Sequence, residues 1–127
     1  SGGELARIIL ALKVVLASKG SAPTLIFDEI DTGVGGAVAE AIGLRLEALS
    51  NELQVIAVTH SPQVAARAYG HMRIEKSLTH EGEERMSTRV EQLDEAARHE
   101  EVARMLAGAS ITDEARAAAK SLIGGSS

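Results

Sequence analysis

The sequence contains no cysteine, so disulfides and thiolate metal sites are excluded. Aromatic residues make up only 2% of it, Phe27 and Tyr69, so any core must be built from Leu, Ile, Val and Ala, a composition that suits helices packed on a sheet. Proline occurs twice. No apolar run approaches the ~20 residues that span a bilayer, which gives no expectation of a membrane. The N-terminus shows no basic stretch followed by an apolar core, so no signal peptide is visible in it. Positive charge is in deficit: 13 Lys and Arg against 18 Asp and Glu, a net charge of −5. The chain as a whole is therefore not an electrostatic attractor for nucleic acid. No recognition helix or aromatic–basic stacking surface reads DNA directly.

What is present is a periodic pattern within 127 residues, enough for one domain. Leu5, Ile8, Ile9, Leu12 and Leu16 recur at helical spacing and predict a helix over 4–18. The apolar run "TLIFD" predicts a strand over 24–28, followed by a glycine-containing loop over 31–36. Val38, Ile42, Leu46 and Leu49 mark a helix over 37–51, and "LQVIAVT" a strand over 53–59, covered on both faces. Strand, helix and strand in this spacing form a right-handed βαβ unit with parallel strands. A short helix is expected over 61–70, with Ser61 as its N-cap, Pro62 at its first position and Gly70 as its stop. Residues 71–76 and 86–93 pair as an antiparallel hairpin, and helices follow over 95–107 and 113–123.

Three stretches carry chemistry. "SGGE" opens a helix with two glycines, each of which costs roughly 1 kcal/mol against alanine in a helix interior. A capping box explains Ser1 and Glu4 but not Gly2 and Gly3. An anion at the helix start explains both, since bare backbone N–H groups and the dipole favour phosphate. "LIFDEID" gathers Asp28, Glu29 and Asp31 at a strand end, where mutual repulsion is offset by a divalent cation. A solvated acidic turn is the plainer alternative. His60 follows the second strand, and in a parallel pair its C-terminal end shares an edge with Asp28 and Glu29, where ligands bind in open α/β sheets. His71, His80 and His99 lack such support and read as surface residues.

Read together, "SGGE", "TLIFDEIDTGVGG" and "VIAVTHSPQVAA" resemble the C-terminal half of an ABC-type ATPase head of the SMC-like kind, and more closely the bacterial RecN family of DNA-repair ATPases. "SGGE" resembles the signature motif, "LIFDE" Walker B, "DTGVGG" the D-loop and "THSPQVAA" the switch-histidine segment; "VEQLDEAARHEEVARMLAG" resembles the family's C-terminal end. The resemblance implies an α/β fold, the C-terminal lobe of a P-loop ATPase head spanning 1–127. Parallel strands are flanked by helices, with the hairpin and two C-terminal helices after them. It implies ATP and Mg²⁺ as cofactors, with Asp28 on the metal and Glu29 as general base. His60 would contact the γ-phosphate. Ser1, Gly2 and Gly3 would bind a nucleotide held by an opposite head, and Asp31, Thr32 and Gly33 would lie at the head–head interface.

The implied partners are the N-terminal lobe of the same head, a second head in a homodimer, and DNA at double-strand breaks; the implied location is bacterial cytoplasm, at the nucleoid. The sequence departs from the family pattern in having no G-x-x-x-x-G-K-[ST] loop. It therefore reads as a fragment that is catalytically silent alone, the ATPase belonging to the complete head. A non-catalytic dimerisation or docking module is the alternative. An ABC transporter subunit fits less well, because Glu4 and "DTGV" stand where those subunits carry Gln and "SALD".

Overall fold

The computed structural model describes residues 4, 7, 8, 11, 15, 24–79 and 85–125. The expected helix over 4–18 lies largely outside the described residues, though Glu4, Arg7, Ile8, Ala11 and Val15 are each helical. Strand β1 (Thr24–Asp28) pairs in parallel with β2 (Gln54–Val58), in a register that sets Thr24 against Gln54 and Asp28 against Val58. Helix α1 (Gly36–Leu49) connects them and buries Ala39, Ile42, Leu46 and Leu49, a three-four-three spacing that keeps one stripe on the sheet. Phe27, fully buried, is the centre of this core, which also takes in Val64, with Leu25, Val38 and Val55 packed at its edges.

The period-two alternation of the strands decides which side chains face α1. Leu25, Phe27 and Val55 point into the core; Ile26, Ile56 and Val58 point the other way and are 59%, 37% and 42% exposed. The expectation of a second strand covered on both faces is therefore not met. The apolar run is real, but α1 covers only one side of it.

Gly43 sits buried in the middle of α1 for a steric reason. A Cβ there would stand 3.0 Å from the Gln63 carbonyl oxygen and 3.1 Å from Arg67 Cγ. The missing side chain lets α1 lie against α2 (Pro62–Ala65), and Arg67 braces the pair through Glu40 and Glu47, each at 3.7 Å. Gly43→Ala gains helix propensity but overpacks this contact. We expect a net loss of about 1–2 kcal/mol, read as a lower urea midpoint.

Helix α2 is shorter than the expected span of 61–70. Its i→i+4 bonds, Ala65 to Ser61 and Ala66 to Pro62, give way to i→i+3 bonds from Arg67 to Val64 and from Ala68 to Ala65, which tighten and end the helix. Ser61 is the N-cap residue, but its hydroxyl donates to Gln63 Oε1 at 2.9 Å rather than capping the backbone.

The hairpin pairs β3 (Met72–Thr79) with β4 (Arg85–Gln92), setting Ile74 against Val90 and Leu78 against Met86. Helices α3 (Glu95–Ala107) and α4 (Asp113–Gly124) pack on each other through Val102, Ala103, Ala115 and Ala119. Their ends are chemically defined. The Asp94 carboxylate accepts from Ala97 N–H at 2.8 Å, the Thr112 hydroxyl accepts from Ala115 N–H at 3.1 Å, and Gly108 turns the chain at φ 79°.

A buried ionic cluster ties α3 to the hairpin. Glu101, 5% exposed, accepts from Arg104 through both carboxylate oxygens and lies 3.6 Å from Arg73. Hydrogen bonding from Arg104 lowers the Glu101 pKa despite burial, which opposes it. His71 enters the same cluster and is half-buried, not the surface residue expected, because it leads into β3 where the hairpin meets α3. Burial holds its pKa below 6.5. His99 is likewise half-buried, its Nδ1 2.8 Å from the Glu95 carbonyl oxygen; His80 lies outside the described residues.

Both lowered values destabilise the fold in acid. As pH falls below 6.5 the unfolded chain protonates at His71 before the folded one does, so stability drops. The contribution of Glu101 is present above 4.5 and is lost as pH falls through its lowered folded value. Urea midpoints measured across this range should decline in two steps. His71→Asn should remove the upper step and Glu101→Gln the lower; because the Glu101 charge raises the His71 pKa, the glutamine variant should also widen the upper step.

Candidate functional site

The C-terminal ends of β1 and β2 form one edge, and the residues just past them carry the site. Glu29 continues the pairing, its N–H donating to the Val58 carbonyl at 2.9 Å. Its own backbone is left-handed, at φ 54°, the only non-glycine residue with positive φ among those described. A side chain in that region costs of order 1–3 kcal/mol. The strain turns the chain sharply out of the strand; the turn closes with Thr32 N–H to Glu29 O at 3.2 Å and Val34 N–H to Asp31 O at 3.4 Å, and Gly33 takes φ 77°.

This turn aims the Glu29 carboxylate at the neighbouring strand end. Oε1 of Glu29 stands 2.9 Å from Nε2 of His60, with the two side chains 45% and 89% exposed. An exposed contact of this kind stabilises a fold by about 0–1 kcal/mol, less than the strain at Glu29 costs. The arrangement is therefore poorly explained by stability, and backbone strain that persists in this way clusters at functional sites.

Asp31 has a different setting from its two acidic neighbours. It is buried, and its Oδ2 accepts a short hydrogen bond from the Thr59 hydroxyl. Thr32 and Gly33 are exposed on the same turn, and Asp28 is exposed at the strand end. Ser1, Gly2 and Gly3 lie outside the described residues. Sequence reading thus brought the acidic strand end and His60 together, but it missed Thr59, whose only signal was its place beside His60.

An open cleft of about 480 Å³ lies beside the pair, bordered by the 31–34 turn, His60, Pro62 and, from α3, Met105 and Leu106. The α3 residues gave no sequence signal, being more than forty positions from His60 along the chain. No lysine or arginine is in its described lining. Among the described residues no three His, Cys, Asp or Glu side chains gather as a metal cage. The donors present suit instead an ion that takes one or two carboxylates and keeps its waters, as Mg²⁺ does. Asp28 is exposed at the strand end and could serve this, whereas Glu29 is engaged by His60 and Asp31 by Thr59. No described helix is long and apolar enough to cross a membrane.

The chain is 49% identical over 123 residues to the DNA repair protein RecN of Rickettsia felis, 46% to that of Xylella fastidiosa and 43% to that of Bacillus subtilis, in each case over 97% of its own length. It spans 21–22% of the length of those relatives. No protein-family model matches it. Among solved structures it is similar to one from work on ATP-driven dimerisation and DNA-stimulated activation of SMC ATPases, with a TM-score of 0.65 and 22% identity, covering 87% of this chain and 64% of that one. It is also similar to the Smc head domain of Pyrococcus yayanosii, with a TM-score of 0.63 and 25% identity, covering 80% of this chain and 18% of that one. The fold is that of an SMC ATPase head: a parallel sheet, an antiparallel hairpin and C-terminal helices.

Proposed function

We propose that residues 1–127 form the C-terminal part of an ATPase head that couples ATP binding and hydrolysis between paired heads to DNA repair and recombination, a reading supported by the similarity to RecN proteins over 97% of this chain. The observation that carries this reading is the strained Glu29 held against His60 at the C-terminal edge of the parallel strands. Glu29 accepts a proton from the water that attacks the γ-phosphate, the general-base role its exposed carboxylate permits. His60, with one ring nitrogen on Glu29, directs its other ring nitrogen toward the terminal phosphate. Asp28 would hold Mg²⁺ directly or through water, and the ion would supply charge neutralisation on the phosphates. Ser1, Gly2 and Gly3 supply backbone N–H groups to the nucleotide of the opposite head, and the turn of Asp31, Thr32 and Gly33 faces that head.

Asp28→Asn in the full-length protein tests this reading. ATP affinity measured with Mg²⁺ should fall about tenfold or more, for loss of one charged ligand to the ion, while affinity measured in EDTA stays within twofold. Equal affinity of both proteins for ATP·Mg²⁺ would remove Asp28 from the metal site.

The second reading, a non-catalytic docking module, draws on the hairpin. Met72, Ile74, Leu78, Met86 and Val90 lie on one face of it, each more than half exposed. Exposed apolar patches of this kind mark interaction surfaces. That reading gives the Glu29–His60 pair no work and leaves the strain at Glu29 unexplained.

A further inference from the structure

Thr59 has no part in the roles above, yet its hydroxyl is engaged on two sides. It donates to Oδ2 of Asp31 and accepts from the backbone N–H of Ser61 at 2.9 Å. A hydroxyl has one hydrogen and two acceptor lone pairs, so both bonds form at once. The two partners belong to different turns: Asp31 to the turn that follows β1, Ser61 to the turn that follows β2. The bonds also bracket His60, with Thr59 before it and Ser61 after it. The tie is the buried side of the edge, with Asp31 8% exposed, while the Glu29–His60 contact is its solvent side.

An imidazole that is 89% exposed is not held by packing. What limits its position is the backbone on which it stands, and Thr59 anchors that backbone to the neighbouring turn. We propose that Thr59 is a positioning residue whose hydroxyl locks the Asp31 turn to the His60 turn, so that His60 stays within reach of Glu29 and any movement of the Asp31 turn is passed to His60. This rests on the reading of Glu29 and His60 as the working pair.

The test uses full-length protein carrying Thr59→Val, which keeps the shape and removes the hydroxyl, and Thr59→Ser, which restores it. Misplacing one group of a catalytic pair costs about tenfold to a hundredfold. Thr59→Val should lower kcat by that amount with the KM for ATP within about twofold of the parent, and Thr59→Ser should recover kcat to within about threefold. A normal kcat for Thr59→Val, or a loss that serine does not rescue, overturns the proposal. Should the valine variant not fold, amide exchange in the unsubstituted protein decides. The Ser61 N–H should exchange at least about tenfold more slowly than in an unstructured peptide, and unprotected exchange overturns the tie. Glu29→Gln run alongside separates the two levels. If it stops turnover while Thr59→Val does not, the tie falls alone; if it hydrolyses ATP normally, the pair and the tie fall together.

Discussion

Glu29→Gln is expected to lower ATP turnover in the full-length protein by about 10²–10⁴-fold, the usual contribution of a positioned general base, while leaving ATP binding intact. The substitution is nearly isosteric, and the amide oxygen can still accept from His60 Nε2 across the 2.9 Å gap. What is lost is the carboxylate to which the proposed mechanism assigns the proton. On the proposed reading the triphosphate is held chiefly elsewhere, so binding should survive and the variant should accumulate nucleotide-bound, engaged heads. Single-turnover hydrolysis and filter binding of labelled ATP separate the two effects. Stability should hardly move, because the left-handed backbone of residue 29 costs a glutamine about what it costs a glutamate. A docking module predicts the opposite pattern: no change in turnover attributable to this residue.

Phe27→Ala should unfold most of the βαβ unit under mild denaturant. Phe27 is the only phenylalanine, it is fully buried, and it joins β1 to Ile42, Leu46 and Val64. Truncating a buried phenylalanine costs about 3–5 kcal/mol, a large share of the 5–15 kcal/mol that holds a typical domain. The effect should spread to the site, because Phe27 lies two residues before Glu29 and fixes the end of β1 from which the strained turn departs. Phe27→Leu refills most of the volume and should cost less than half as much. Urea midpoints of the two variants check the ranking; equal losses would show that the core does not depend on ring packing at this position.

Much of the architecture was legible because local chemistry and global packing agree at particular residues. The strand 24–28 is bounded as expected, and the helix 95–107 begins at a capping aspartate and stops at a glycine with φ 79°. The pairing of β1 with β2 followed from the connection length, and the neighbourhood of Glu29 and His60 followed from the pairing. The rest depended on contacts that periodicity does not encode. An apolar run reports that a strand is fit for burial, not which of its faces is covered; a strand pair that would join further strands in a complete head is expected to expose an apolar face, and Ile26 and Ile56 lie on it. His71 was misjudged because its burial comes from Glu101 and Arg73 meeting across the hairpin and α3. The end of α2 was overestimated because a switch to i→i+3 bonding after Ala66 leaves no compositional mark. Thr59 and Met105 reach the site through tertiary placement alone.

If Glu29 and His60 act as one unit on ATP, a double-mutant cycle on turnover in the full-length protein will show it. Groups that work together show losses that do not add. Glu29→Gln combined with His60→Ala should turn over no more slowly than Glu29→Gln alone, to within about threefold. Losses that multiply across the two substitutions would show that the residues act independently and would contradict a joint role.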